Sequence, residues 1–499
     1  MGSLLICGTS SDAGKSVIVA GLCRYLRDIG VKVAPFKAQN MSLNSAVTLD
    51  GAEIGRAQAA QAFAAGVEPE AAMNPILLKP GSDTRAQVIV MGRPLKTSDA
   101  VAYGDLIPKL LPVVLDAFES LRSRFDVVVC EGAGSVAEFN LRRRDLVNLG
   151  FARATHSPVV LVADIDRGGS FAGLMGSLGL LQADDQRLVC GFLLNKFRGD
   201  VRLLGDAQVR FSSATGRPFY GILPWIRDIG IDAEDSLALT RGSHDLSSRP
   251  LDVSVVHLRS MSNFTDFDPL VLDPTIDLYY TTSPADVARA DIVVLPGTKT
   301  TVADLQRLRD AGLDRALVQR ARAGRPVVGI CGGFQMLGDT ILDEVESHAG
   351  AVVGLGLLPV TTDFHENKVL ARRSGTWPEV GCHVEGYEIR HGEPRVGGGS
   401  PMFATDQGPE GCARGTVYGT SWHGVFESDL FRREFLSSLS RATAPEWRPT
   451  EFCYAEAREA QTQRLGELIA DHADTDGLRR LIDAGPPPDL PILPPAGIP

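Results

Sequence analysis

The sequence predicts an α/β protein made of two doubly wound, mostly parallel-sheet domains. Three observations predict it. Short apolar runs alternate with segments of helical spacing through the first half, the pattern of a parallel sheet covered on both faces. A second alternation of the same kind starts at Val253–Leu258, after a polar connection at about residues 227–250. Each half also contains an apolar strand that breaks into a glycine-bearing turn and then a helix, at Gly8–Ser16 and again around Cys331. The expected domains are therefore 1–230 and 250–445, followed by a tail at 446–499. At 499 residues the chain is too long for one hydrophobic core.

Bulk properties narrow the functional class. No apolar run approaches the roughly eighteen residues that span a bilayer, and the N-terminus lacks a basic region ahead of its short apolar run. A cytoplasmic protein with no membrane partner is expected. The net charge of −11 argues against non-specific nucleic-acid binding. Eight cysteines occur without a Cys-x-x-Cys pair, which signals neither a zinc site nor a disulfide framework.

The first strand is Leu4–Cys7. The loop Gly8-Thr9-Ser10-Ser11-Asp12-Ala13-Gly14-Lys15-Ser16 follows it, and helical spacing then runs to Gly30. Backbone N–H groups at a helix N-terminus attract phosphate, Lys15 adds a point charge, and Ser16 can hold Mg²⁺. Five residues rather than four separate Gly8 from Gly14, so the loop is one residue longer than the common form. Val31–Lys37 reads as the second strand and leads into Gln39-Asn40-Met41-Ser42-Leu43-Asn44-Ser45. That polar run is either a capped loop or a substrate-facing loop at the carboxyl end of the sheet. Residues 51–66 look helical, 74–87 irregular, and 102–123 helical.

Phe125–Cys130 is a buried strand ending in Glu131 and glycines. A carboxylate at the tip of a strand beside a phosphate loop completes a Mg²⁺ site, because the hard cation takes oxygen ligands. Arg142-Arg143-Arg144 is either a solvated face or a carboxylate-binding cluster. Pro158–Ala163 repeats strand then polar loop, Asp164 to Ser170. Leu188–Leu194 is a strand ending at Asn195, where a purine edge is read in several phosphate-loop proteins, and Pro218–Pro224 is the last strand.

In the second half, Asp291–Leu295 is a strand meeting the Pro296-Gly297 turn, and Val302–Leu313 reads as helix. Pro326–Ile330 then turns sharply at Cys331-Gly332-Gly333 into a helix. This is the elbow that presents a nucleophile, written with cysteine. The Gly332 N–H and a second donor from the Pro296-Gly297 turn suit an oxyanion hole. A thiol needs a base, and Val417–Trp422 ends at His423, with Glu427 nearby.

These residues resemble two families joined in one chain. The long phosphate loop is similar to that of the dethiobiotin synthetases, which phosphorylate carboxylates. Gly-Ile-Cys-Gly-Gly-Phe-Gln with Trp-His-Gly resembles the class I glutamine amidotransferases. That resemblance implies Cys331 as nucleophile, His423 as base, and Gly297, Gly332 and Gln335 around glutamine. Many class I members carry Glu two residues after the histidine, where this chain has Val425, which leaves either Glu427 or a Cys–His dyad. Over residues 1 to about 445 the chain is similar to the cobyric acid synthase family. The carrying motifs are Phe36–Ser42, Asp50–Gln58, Asn74–Pro80, Glu131–Ser135, Asp164–Gly169 and Gly386–Ile389.

The resemblance implies ATP and Mg²⁺ as cofactors, with Gly8, Thr9, Asp12, Gly14, Lys15, Ser16 and Asn195 on the nucleotide. It implies Ser16, Glu131 and Asp50 on the metal. It implies a corrinoid polycarboxylate held by Lys37, Gln39, Asn40, Asn44, Arg144 and Asp166, with glutamine as ammonia donor. The implied reaction amidates the b, d, e and g carboxylates of adenosylcobyrinic acid a,c-diamide through acyl phosphates. A related synthetase acting on another carboxylate, as in cobyrinic acid a,c-diamide synthase, is the alternative. A partitioning-type ATPase leaves Cys331 and His423 without a purpose. A homo-oligomer is left open, and the end of the tail, Gly485–Pro499, reads as extended or disordered.

Overall fold

A computed structural model describes residues 2–81, 84–226 and 251–497. The expected polar connection at 227–250 lies outside the described residues. The first half is built on six strands, all parallel, in the spatial order 219–224, 189–197, 159–164, 2–8, 127–131, 33–36. The alternation within Leu4-Leu5-Ile6-Cys7 explains why both faces are covered. Leu5 and Cys7 face a core with Phe36, Phe118 and Phe151, whose rings meet at centroid distances of 5.1–5.5 Å. Leu4 and Ile6 face the opposite core with Val19 and Leu22. Fully burying side chains of this size contributes roughly 1.5–3 kcal/mol each.

The tail completes that second core. Helix Tyr454–His472 lies across helix Lys15–Asp28, and Leu465, Ile469, Leu478 and Ile482 are buried with Leu4 and Ile6. The crossing is close because both helices present glycine. A Cβ on Gly21 would stand 2.7 Å from the Leu465 carbonyl oxygen, and one on Gly466 2.7 Å from Arg24 Cγ. The Pro-rich end is extended and docked: Gln186 accepts from the Leu493 N–H and donates to its carbonyl. Residues 454–497 thus pack as part of the first half rather than as an appendage.

Two more departures concern the first half. The described residues of 74–87 are mostly regular. Ile76–Pro80 and Arg85–Val90 join Gln39–Met41 and Arg93–Asp99 in a four-stranded sheet. The helix expected over 51–66 spans only Arg56–Ala65, because Glu53–Gly55 pairs with Ser45–Val47 as a hairpin. Propensity favoured helix there; tertiary pairing overrode it.

The second half has its own sheet, ordered 276–281, 251–256, 292–295, 327–330, 417–420, 412–414, parallel except for the last pair. The helix read over Val302–Leu313 spans Thr301–Asp310; Gly312 (φ 72°) ends it, and a second helix, Leu313–Arg322, follows. A ribbon of two long antiparallel strands, Val360–Trp377 and Cys382–Val396, extends from this domain against the first. Both principal sheets are α/β, as the sequence predicts. Among the described residues no helix is long and apolar enough to cross a membrane.

Candidate active sites

The loop after strand Gly2–Gly8 is held by its own geometry. Gly14 has φ 89°, and a Cβ there would lie 2.1 Å from Asn195 Nδ2, so backbone conformation and space both demand glycine. Asn195, at the tip of strand Val189–Phe197, donates to the Ala13 carbonyl at 2.9 Å. Lys15 Nζ donates to the carbonyls of Ser10, Ser11 and Gly134 at 2.9–3.1 Å. Thr9 Oγ1 donates to the Val162 carbonyl at 3.4 Å. Gly8 and Thr9 frame the loop, whereas Asp12, Gly14, Lys15, Ser16 and Asn195 face a cavity of about 880 Å³. Asp12 is exposed and pairs with Arg167 at 2.8 Å.

Glu131 sits one strand away, opposite Ile6. It accepts from Ser16 Oγ at 2.8 Å, Lys37 Nζ at 2.9 Å and Gln61 Nε2 at 2.5 Å. Burial works to raise its pKa, but the Lys37 charge and the three donors outweigh it and hold the carboxyl below its ordinary range. Lys37 is therefore committed to Glu131, although it also faces the cavity.

Gln39, Asn40 and Arg144 line the same cavity. Gln39 accepts from the Tyr103 hydroxyl at 2.5 Å, and Asn40 donates to Gln58 at 2.9 Å. Arg142 is a structural partner of buried Asp185, at 2.7 Å.

Three expected residues lie elsewhere. Asp50 is exposed in the turn of the 45–55 hairpin, accepts from Thr48 Oγ1, and is not beside Ser16. Asn44 is buried at the boundary with the second half, where its Oδ1 accepts the Phe264 N–H at 3.0 Å. Asp166 is exposed outside the cavity lining, paired with Arg198 at 3.0 Å. The hairpin pairing carries Asp50 and Asn44 away from the phosphate loop.

In the second half, strand Val327–Ile330 turns at Cys331 with φ 49° and ψ −108°, and helix Gly332–Leu337 follows. A non-glycine residue at positive φ costs on the order of 1–3 kcal/mol and is held only when its surroundings over-determine it. Here they do. A Cβ on Gly333 would stand 1.9 Å from the Leu295 carbonyl oxygen, and the Cys331 N–H donates to the Thr420 carbonyl at 2.7 Å.

His423 is fixed by reciprocal backbone bonds with Tyr387 (2.8 and 3.0 Å), and its ring stacks on the Tyr387 ring at 5.5 Å. Its Nδ1 lies 2.7 Å from Asp266 Oδ2, which leaves Nε2 for Cys331. Burial, the largest single influence, disfavours the charged ring. Asp266 and Cys331 together overcome it and hold the pKa of His423 up at about 10.

Gly297 closes one side of His423, since a Cβ there would lie 2.8 Å from Cε1. Gly332 packs as tightly, its would-be Cβ 3.0 Å from the Thr298 nitrogen. Gln335 accepts from Thr301 Oγ1 at 3.2 Å, and it lines a small cavity of about 40 Å³ with Cys331 and His423. Glu427 is not the acid beside His423. Its carboxylate is engaged by Arg56 at 2.8 Å, and the backbone turn Val425–Glu427 directs it toward the first half.

Sequence reasoning missed Asp266. Its signal was available: Asp266 follows the first strand of the second sheet, at the same carboxyl end as Cys331 and His423. It also missed Lys368, which reaches the small cavity from the half opposite Lys79; the two lysines share buried Glu53.

A phosphate loop with a strand-tip carboxylate, joined to a Cys–His–Asp constellation on a nucleophile elbow, defines a glutamine-dependent amidotransferase carrying a nucleotide-binding domain. The family comparisons agree. Residues 4–237 match the CobQ/CobB/MinD/ParA nucleotide binding domain, and residues 252–431 the CobB/CobQ-like glutamine amidotransferase domain. Proteins named cobyric acid synthase from Streptomyces avermitilis (54% identical), Streptomyces coelicolor (51%) and Frankia casuarinae (50%) align over 99% of this chain and 99% of their own length. The chain belongs to the cobyric acid synthase family.

Proposed function

We propose that the protein amidates the b, d, e and g carboxylates of adenosylcobyrinic acid a,c-diamide in cobalamin biosynthesis. Glutamine supplies the nitrogen and ATP the driving force. At the second site, the Cys331 sulfur attacks the side-chain amide carbon of glutamine while His423 moves a proton from sulfur to the leaving nitrogen. Ammonia departs, and water hydrolyses the thioester to glutamate. Asp266 holds Nδ1–H so that Nε2 does the proton transfer. The Gly332 N–H and a donor near Gly297 suit the oxyanion.

At the first site, a substrate carboxylate oxygen takes the γ-phosphoryl group of ATP to form an acyl phosphate and ADP. Ammonia then attacks the acyl carbon, and phosphate leaves. A carboxylate is a poor acyl donor and phosphate a good leaving group, which is the reason for the ATP. Lys15 and the loop N–H groups are placed to balance charge on the transferring group. Ser16 Oγ and Glu131, 2.8 Å apart, are hard oxygen donors suited to Mg²⁺, whose contribution there is to neutralise phosphate charge. Gln39, Asn40 and Arg144, which line the cavity, suit the corrinoid's carboxylates and amides, and Lys37 acts beside them through its pair with Glu131.

The observation that carries this reading is the coexistence in one chain of the Ser16–Glu131 pair and the Cys331–His423–Asp266 set. Mass spectrometry of corrinoid incubated with ATP, Mg²⁺ and glutamine tests it. Stepwise replacement of carboxyl OH by NH₂, dependent on ATP, is expected at the four named positions. Conversion at a and c instead would point to the alternative substrate, and no ATP-dependent conversion would refute the proposal.

A further inference from the structure

We propose that the segment Asn44–Arg56 of the nucleotide-binding half is a positioning element of the glutaminase site, with Asn44, Ser45 and Arg56 as its positioning residues. The proposal rests on Cys331 being the glutamine-hydrolysing nucleophile. Asp266 lies on a single turn, Phe264–Phe267, too short to hold itself. Besides Gly424, His423 and the burial of Phe264 and Phe267 in its own half, this turn is held from the other half of the chain.

The Phe264 N–H donates to Asn44 Oδ1 at 3.0 Å. Asn263, at φ 53°, accepts the Ser45 N–H at 3.2 Å and donates to the Ser45 carbonyl at 3.1 Å. Asn263 also donates to the Tyr387 hydroxyl at 3.1 Å, and the Tyr387 ring stacks on His423. On the other side of the pair, Arg56 engages Glu427, four residues beyond His423. One segment thus grips the turn before Asp266, the ring against His423, and the turn after His423.

The grip is stiff. Arg56 N–H donates to the Asn44 carbonyl at 3.1 Å, which ties the two ends of the segment together. Glu53 inside it is buried between Lys79 of its own half and Lys368 of the other. Arg56 then starts the helix Arg56–Ala65, whose Gln58 and Gln61 hold Asn40 and Glu131. The support for Asp266 is therefore anchored beside the phosphate loop. The ion pair between His423 and Asp266 needs sub-ångström placement, and outer supports of this kind act by fixing orientation.

The test compares full-length Asn44→Ala and Arg56→Met with the parent protein. Glutamate release from glutamine and amidation supported by ammonium salts are measured separately, and Arg56→Lys serves as the charge-conserving control. Cys331→Ala, assayed in parallel, tests the nucleophile assignment independently. The expected result is a fall of about tenfold or more in kcat for glutamate release with KM for glutamine changed by less than about threefold, the split that marks lost transition-state stabilisation. The alkaline limb of the glutaminase pH profile should move down as His423 loses Asp266, and Arg56→Lys should recover part of the rate. Ammonium-supported amidation should stay near the parent rate, which also certifies folding. Glutamate release within twofold of the parent in both variants, or an equal loss with glutamine and ammonium, overturns the proposal.

Discussion

Replacing Asp266 by Asn changes one atom and reverses the proton arrangement of the glutaminase site. In the native protein Asp266 Oδ1 accepts the Gly424 N–H at 2.8 Å while Oδ2 faces His423 Nδ1 at 2.7 Å. An Asn side chain keeps its oxygen on the Gly424 N–H, because that group only donates. Its NH₂ then faces Nδ1, which must become the acceptor, so the ring proton sits on Nε2 and the base facing Cys331 is lost. The interaction at stake is large. His423 is raised from 6.5 to about 10, which corresponds to on the order of 5 kcal/mol favouring its charged form.

Two consequences follow. The raised pKa contributes stability that is complete below the unfolded value of 6.5 and fades as pH climbs through about 10. Asp266→Asn should therefore be less stable than the parent at neutral pH, with the difference shrinking between pH 6.5 and about 10 and absent above it. Glutamate release should fall on the order of 10⁴-fold, as when a triad Asp is replaced by Asn and the His is left in the wrong tautomer. Ammonium-supported amidation should persist. Urea melts across the pH range measure the first, stopped assays of glutamate formation the second. A kcat within about threefold of the parent would refute the role of Asp266.

The remaining predictions are more direct. Cys331→Ala should abolish glutamine-driven amidation and keep the ammonium-driven reaction, whereas Lys15→Ala should remove both; product mass spectra decide. Leu465→Ala should cost about 2–5 kcal/mol in a denaturant titration, because this tail residue is fully buried in the first half's core. The Glu410 carboxyl, raised from 4.5 to about 7 chiefly by burial, loses stabilising value as pH rises through that window. Glu410→Gln should therefore gain up to about 3 kcal/mol on the parent between pH 4.5 and 7 and no more above it.

Much of this was legible because the chemistry sits where local sequence is most constrained. Gly14 must be glycine for φ and for Asn195, and Gly333 for the Leu295 carbonyl, so each turn is spelled in its residues. The strand-tip residues Glu131 and Asn195 could be read because a parallel sheet delivers them to one edge. What was missed depends on pairing between distant segments. Glu427 follows His423 closely in sequence, yet Arg56 holds it; Asp266 precedes His423 by well over a hundred residues, yet touches it. Asp50 and Asn44 were misplaced for one reason, the hairpin of Ser45–Val47 with Glu53–Gly55, which no periodicity announced. The tail's partner was hidden likewise: the spacing of Leu465, Leu468 and Ile469 indicates a face, not what covers it.

The same long-range contacts bear on why two reactions share one chain. The small cavity beside Cys331 receives Lys79 from the nucleotide-binding half and Lys368 from the glutaminase ribbon, both tied to Glu53. Burial lowers Lys368 to about 8 even with Glu53 beside it. Separating the halves would strand one or two of these charges, and an unpaired buried charge costs several kcal/mol. The glutaminase half is therefore not an independent module docked onto a synthetase. The turn that carries Asp266, its cavity wall and its buried ion cluster are all contacted by residues 44–79, the stretch that also approaches the phosphate loop.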